Sequence, residues 1–109
     1  MSINEYNRLS ALFKKDPNLK GYFIKLFDYV NFDGYLRREF HNGRNVKFED
    51  NYVYFTVEHY TEFRDYELKV HYKDINLFIP SSEKKSKKLP LYLQDINFKE
   101  GFVNRNETK

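Results

Sequence analysis

The sequence predicts a single α+β domain: two long N-terminal helices and one short one packed on a three- to four-stranded antiparallel meander, with an irregular C-terminal segment. Apolar residues recur at helical spacing over residues 1–43, whereas over residues 44–73 they alternate as in half-buried strands. At 109 residues the chain has room for one core. An aromatic content of 19% supplies the large side chains that fill such a core.

Two long helices are predicted in the N-terminal part of the chain. Ser2 and Glu5 have the spacing of a capping box, so a helix is expected over residues 3–14. Asp16 and Pro17 form a second start signal, an N-cap acid followed by proline at the first helical position. Apolar residues then follow at helical spacing: Leu19, Tyr22, Phe23, Leu26, Phe27 and Val30. This pattern predicts the most strongly amphipathic helix of the protein.

The segment from Asp33 to Gly43 allows two interpretations. Asn42-Gly43 is a strong two-residue hairpin signal, but a turn there would place apolar residues opposite polar ones, which a half-buried sheet does not tolerate. As a helix the segment is consistent, because Leu36 and Phe40 lie one turn apart. Asp33 would cap this helix and Gly43 would end it. A short third helix is therefore predicted.

An antiparallel meander is predicted next, with strands at residues 44–49, 52–61 and 65–73. Turns at residues 50–51 and near 63–64 pair apolar residues with one another, for example Val57 with Val70. One face of the meander is expected to pack on the helices: Val46, Phe48, Val53, Phe55, Val57, Leu68, Val70 and Tyr72. The opposite face is expected to be exposed: Lys47, Tyr54, Thr56, Glu58, Tyr60, Lys69, His71 and Lys73.

The rest of the chain is divided by composition. The apolar run at 75–79 ends at Pro80 and predicts a further strand or edge segment, so the domain core is expected to span residues 1–80. After it we expect a basic linker at 81–88, a segment at 89–103 that packs back on the domain, and a frayed tail at 104–109.

Composition also limits location and chemistry. The chain has no cysteine, its start lacks the basic and apolar regions of a signal peptide, and no apolar run is long enough to cross a bilayer. A cytoplasmic location is therefore expected. The net charge of +3 is smaller than a dedicated nucleic-acid binder usually carries.

No catalytic, metal or cofactor site is predicted. The meander register places His59 and His71 on opposite faces, so they cannot share a metal ion, and His41 has no carboxylate at ligand spacing. The serines lie near the first helix or in the basic linker, without a base held against them. The four glycines are isolated, so no phosphate-binding loop is present. The protein is therefore not expected to be an enzyme.

The leading hypothesis is a protein-interaction module that binds a larger protein or nucleoprotein complex and modulates or inhibits it, itself a monomer or homodimer. Tyrosine and arginine are enriched at interaction hot spots, and the exposed meander face is rich in tyrosine. The predicted contact residues are Tyr54, Tyr60, Arg64, Lys69 and His71. Abundant Lys, Asn, Tyr, Phe and Ile are typical of AT-rich coding sequences, which suggests a phage or mobile-element protein, a group that includes antidefence inhibitors.

The alternative is direct nucleic-acid binding. In it, basic residues of the third helix, its exit and the linker would contact phosphates: Arg37, Arg38, Arg44, Lys47, Lys84, Lys85, Lys87 and Lys88. Three helices followed by a hairpin resemble, in element order only, the winged-helix DNA binders. A steep loss of affinity with salt would favour this alternative.

Overall fold

The computed structural model describes residues 1–32, 34–59 and 64–84, and within them it shows one α-helix packed on a five-stranded antiparallel sheet. The elements are α1 (Ile3–Lys15), β1 (Gly21–Phe32), β2 (Tyr35–Glu49), β3 (Tyr52–His59), β4 (Arg64–His71) and β5 (Ile75–Pro80). Short 3₁₀ turns follow β4 and β5, at Tyr72–Asp74 and Ser81–Glu83. The strand order is β4-β3-β2-β1-β5.

Helix α1 confirms the first predicted helix. The side chain of Ser2 caps its N-terminus by accepting a hydrogen bond from the backbone N–H of Glu5 at 3.0 Å. One stripe of the helix, formed by Tyr6, Leu9 and Phe13, is buried against the sheet. Capping and helical periodicity therefore agree in this segment, and the helix forms where both predict it.

The second predicted helix is wrong, because residues 21–32 form strand β1. Phe23 and Ile24 are both fully buried, although neighbouring side chains in a strand point to opposite faces. Ile24 belongs to the main core, whereas Phe23 packs with Ile79 in a second cluster. Burial on both faces produces a continuous apolar run instead of alternation, and such a run also fits helical spacing.

The third predicted helix is also wrong, because strand β2 runs through the whole segment. Phe32 pairs with Tyr35, so the chain reverses in two residues, and Gly34 has the positive φ of 94° that a tight turn requires. The N–H of Gly34 donates to Oδ1 of Asn31 at 2.8 Å. Gly34 therefore belongs to a hairpin turn, and no helix begins here in the described part of the chain.

The Asn42-Gly43 signal marks neither a turn nor a helix end. Asn42 has a φ of 56° inside β2, a left-handed conformation that asparagine tolerates. A Cβ added to Gly43 would lie 3.2 Å from Ile24 Cδ1 and 3.3 Å from Phe55 Cδ2. Glycine is therefore needed at position 43 for close packing between strands, not for chain reversal.

The predicted meander of three to four strands is wrong in strand number, because the sheet has five strands, although its three predicted strands overlap β2, β3 and β4. Asp50 and Asn51 have φ values of 54° and 70°, as a two-residue hairpin turn demands, and Phe48 pairs with Val53 as predicted. Every residue of the predicted inner face belongs to the main core or packs against it. On the predicted outer face, however, Thr56 is buried.

The register between β3 and β4 differs from the prediction. Val57 pairs with Tyr66, and Val70 pairs with Val53 instead of Val57. The slip is an even number of residues along the strand, so every side chain stays on its predicted face. The error therefore changes which residues are neighbours but not which are buried.

The sheet is strongly curled. Strands β4 and β5 are its two edges, and a flat five-stranded sheet would hold them roughly 19 Å apart. Only the 3₁₀ turn Tyr72–Asp74 connects them, and at its usual rise it spans roughly 8 Å. The edges must therefore converge at this end, which we call the seam.

Strand β5 confirms the predicted segment at 75–79 and forms an edge, as expected. Its residues Ile75 and Phe78 join the main core, and Ile79 joins the second cluster. No helix among the described residues is long and apolar enough to cross a membrane. The first residues of the predicted linker form the turn Ser81–Glu83, and residues 85–88, the segment at 89–103 and the tail lie outside the described residues.

Candidate functional site

The end of the β1–β2 hairpin exposes apolar side chains, and we call residues 27–32 and 34–38 the arm. Within the described chain, β5 pairs with β1 only as far as Leu26, and β3 pairs with β2 only from Arg44. Among the described residues five large apolar side chains are exposed, and four of them lie on the arm: Phe27, Tyr29, Tyr35 and Leu36. Leu36 is the most exposed, at 69%, and lines a shallow depression together with Tyr29. Exposed apolar side chains gathered in one segment are typical of an interaction site.

A large bulge sets the shape of the arm. Lys25 pairs with Glu39 and Val30 with Arg37, so the residues between Lys25 and Val30 face Arg38 alone. The guanidinium of Arg38 donates a hydrogen bond to the backbone carbonyl of Phe27 at 3.2 Å. This bond replaces the inter-strand hydrogen bond that the carbonyl oxygen loses at the bulge. It also lies 5.0 Å from the ring centroid of Tyr29. Arg38 therefore holds the bulge in place.

A second surface lies on the outer side of β3 and β4, and we call Lys47, Tyr52, Tyr54, Lys69 and His71 the tyrosine–lysine face. Tyr52 pairs directly with His71, and Tyr54 pairs directly with Lys69. The ammonium group of Lys69 lies 4.6 Å from the ring centroid of Tyr52 and 5.8 Å from that of Tyr54. That of Lys47 lies 4.9 Å from Tyr54. These cation–π contacts hold the long side chains against the rings.

His71 links this face to the seam. Its ring meets Tyr52 edge-on at 5.1 Å and stacks on Tyr72 at 4.7 Å. Its Nδ1 accepts a hydrogen bond from the backbone N–H of Lys73 at 3.1 Å, so in the neutral ring the proton lies on Nε2. Nδ1 of His71 therefore caps the 3₁₀ turn Tyr72–Asp74, and Nε2 of the neutral ring carries an N–H donor.

The structure brings together three of the five predicted contact residues: Tyr54, Lys69 and His71. Arg64 lies at the opposite end of β4 from His71, and its guanidinium stacks 5.2 Å from the ring of Tyr66. Arg64 pairs with residue 59, and this pairing places Arg64 on the inner face of the sheet, opposite the tyrosine–lysine face. Tyr60 lies outside the described residues.

A depression at the seam joins the arm to the tyrosine–lysine face. It has a volume of about 310 Å³ and is lined by Leu26, Asp28, Val30, Tyr52, Lys69, Val70, His71 and Asp74. Asp28 and Val30 belong to the arm, Leu26 precedes it, and three other lining residues belong to the tyrosine–lysine face. The depression therefore connects the base of the arm to this face. The arm was not predicted, because the apolar pattern assigned both of its strands to helices.

The residues of the nucleic-acid alternative do not form one cluster in the described part of the chain. Arg37, Arg38, Arg44 and Lys47 are spread along one strand, which spans roughly 30 Å over this interval. Arg44 pairs with Asp65 at 2.7 Å, and Lys47 pairs with Glu49 at 3.1 Å. Because residues 35–43 belong to strand β2 and not to a helix, the comparison with winged-helix proteins fails.

Only one lysine of the nucleic-acid alternative's basic linker is described. The ammonium group of Lys84 lies 5.8 Å from the ring centroid of Tyr22. Lys85, Lys87 and Lys88 lie outside the described residues. Nucleic-acid binding through the linker therefore stays a prediction.

A groove of about 770 Å³ lies between α1 and the β2–β3 turn. The hydroxyl of Tyr6, which is buried there, accepts a hydrogen bond from the N–H of Asn51 at 3.0 Å and donates to the carbonyl oxygen of Tyr52 at 3.4 Å. These contacts fix the helix on the hairpin turn. The hydroxyl is therefore occupied by the fold and is not aimed at a ligand.

Titratable groups in the described residues show no arrangement typical of catalysis. No group of three or more His, Cys, Asp or Glu side chains among them could hold a metal ion. Burial lowers the pKa of His41 to about 4, but this ring packs beside Phe23 in the second cluster and not in a cleft. No protein-family model matches the chain, and comparisons with curated proteins and with solved structures give no match.

Proposed function

We propose that this chain is a non-enzymatic interaction module that binds a larger protein and modulates or inhibits it. The observation that carries the proposal is the surface formed by the arm, the seam depression and the tyrosine–lysine face. Four large apolar side chains, two of them tyrosines, are exposed on the arm, and such residues anchor protein interfaces. The phage or mobile-element origin suggested by composition is part of the same proposal.

The charges of this surface favour a protein over a polyanion. Charged groups of both signs on or beside it make no ion pair with other described residues: Asp28, Glu58, Glu67, Asp74, Arg38, Lys69 and Lys73. Four of these seven groups are acidic, so the surface is not uniformly basic. A mixed surface suits a protein, which can offer side chains of complementary charge, better than it suits a polyanion.

Affinity purification from the native host, with and without nuclease, tests the proposal. We expect the tagged protein to retain one defined protein or complex after nuclease treatment. Leu36→Ser should weaken its capture by about tenfold, because truncating an apolar anchor commonly costs more than 1 kcal/mol of binding free energy. Ile3→Ser is the matched control, since Ile3 is also an exposed apolar residue (43%) but lies on α1.

A second variant tests the tyrosine–lysine face. Lys69→Glu combined with Tyr54→Ala should also weaken capture, because these two residues are direct cross-strand neighbours on that face. If both arm and face variants retain the partner as well as Ile3→Ser does, the surface assignment is wrong. If the captured material is lost with nuclease, the nucleic-acid alternative replaces the proposal.

A further inference from the structure

The lining of the seam depression is typical of a pocket that binds one side chain. Its floor is apolar, because Leu26 and Val70 are buried and Val30 packs against the same core. Asp28 and Asp74 line it from two different elements, β1 and the 3₁₀ turn. Tyr52 adds an aromatic wall, and the ammonium group of Lys69, which also lines the depression, lies 4.6 Å from the centroid of that ring.

We propose that this depression receives a lysine or arginine side chain of the bound protein. The inference rests on the proposed function and names the chemistry of the partner at this point. The long methylene stem of a basic residue fits an apolar floor, while its cationic head needs carboxylates at the rim. The depression supplies both, so its occupant is an amphipathic cation and not a purely apolar side chain.

Neither carboxylate is satisfied by another charged side chain. Asp28 and Asp74 are exposed and make no ion pair within 4 Å of another described residue. One competing charge is the α-amino group of Met1, on which Asp74 acts electrostatically. That group donates its hydrogen bonds to the carbonyl oxygens of Tyr72 and Ile75, not to the carboxylate. Both carboxylates are therefore available to an incoming cation.

The position of Lys69 explains why the depression selects a cation despite a lysine in its lining. The Lys69 ammonium is held over the rings of Tyr52 and Tyr54, on the outer face of the sheet. The two aspartates lie at the end formed by β1 and the turn after β4. The tyrosine rings therefore hold the Lys69 ammonium, and the two aspartates supply the negative charge that an incoming basic residue meets.

The test is an NMR titration that does not need the natural partner. The probe is Nα-acetyl-L-arginine amide, and the matched probe is Nα-acetyl-L-citrulline amide, which has nearly the same shape without the charge. We expect the arginine probe to shift backbone amides at 26–30 and 69–74 with millimolar affinity, and the citrulline probe to bind several-fold more weakly.

Matched variants separate this site from general attraction to acidic groups. Asp28→Asn with Asp74→Asn should weaken the arginine probe by about tenfold, whereas Asp16→Asn, an exposed acid after α1, should leave it unchanged. Amide spectra of each variant establish that it is folded. Equal binding of both probes, shifts spread over all acidic residues, or no shifts at the seam would overturn the inference. None of these results affects the capture experiment with Leu36→Ser, so the two proposals fail independently.

Discussion

Replacing His41 by glutamine should remove a defined part of the acid sensitivity of this fold. The His41 ring lies opposite Phe23, at 5.4 Å between ring centroids, and burial lowers its pKa to about 4. Arg37 lowers this pKa further, while Glu39 opposes the shift. In the unfolded chain the same ring titrates near 6.5. Protonation therefore favours the unfolded state between these two values.

The magnitude follows from the difference between the two states. Because the folded pKa is depressed, the stabilisation is fully present above about pH 6.5 and is lost as the pH falls towards 4. A pKa lowered from 6.5 to about 4 corresponds to at most about 3 kcal/mol of unfolding free energy. For a domain of this size that is a large share of the total stability.

Urea unfolding followed by circular dichroism at several pH values, from about 7 to about 4, measures the effect. The native protein should lose about 2–3 kcal/mol more than His41→Gln over this interval, because carboxylates titrate equally in both proteins. Parallel pH profiles for the two proteins would refute the reasoning. So would an NMR titration in which the His41 resonance, identified by its absence from the variant, has a pKa near 6.5.

Three further predictions concern stability. Leu9→Ala should cost about 2–5 kcal/mol in urea unfolding because Leu9 is fully buried, whereas Leu36→Ser should stay within about 0.5 kcal/mol. Arg38→Ala should cost about 1 kcal/mol and speed amide exchange in the arm alone, since it removes the donor to the Phe27 carbonyl. Gly43→Ala should cost about 1–3 kcal/mol, because the added methyl group meets two buried side chains at 3.2 and 3.3 Å; an unchanged unfolding midpoint would contradict this packing.

The N-terminal helix and the meander could be predicted because local signals were sufficient. The capping box at Ser2 and Glu5 marks where α1 begins, and its apolar stripe fixes the buried face. In the meander, alternation assigned the inner face correctly even though the β3–β4 register was wrong. Alternation depends only on residue parity, whereas register also depends on the length of the connecting loop.

Strands β1 and β2 could not be separated from helices by periodicity. Phe23 and Ile24 are buried on opposite faces, so the alternation that identifies a half-buried strand is missing. Two signals in the sequence did favour strands: the richness in aromatic and β-branched residues, and the Asp-Gly pair before Tyr35. Given more weight, they would have revealed the hairpin and with it the arm.

The sequence by itself determined the boundaries of α1, the turn at Asp50-Asn51 and the residues of the inner face, since each depends on neighbours close in the chain. Only the tertiary structure decided that the sheet has five strands and curls so that its two edges converge at one end. The seam depression depends on that curl, because Asp28 and Asp74 belong to elements far apart in sequence. Contacts of this kind arise from packing and leave no local pattern in the sequence from which they could be predicted.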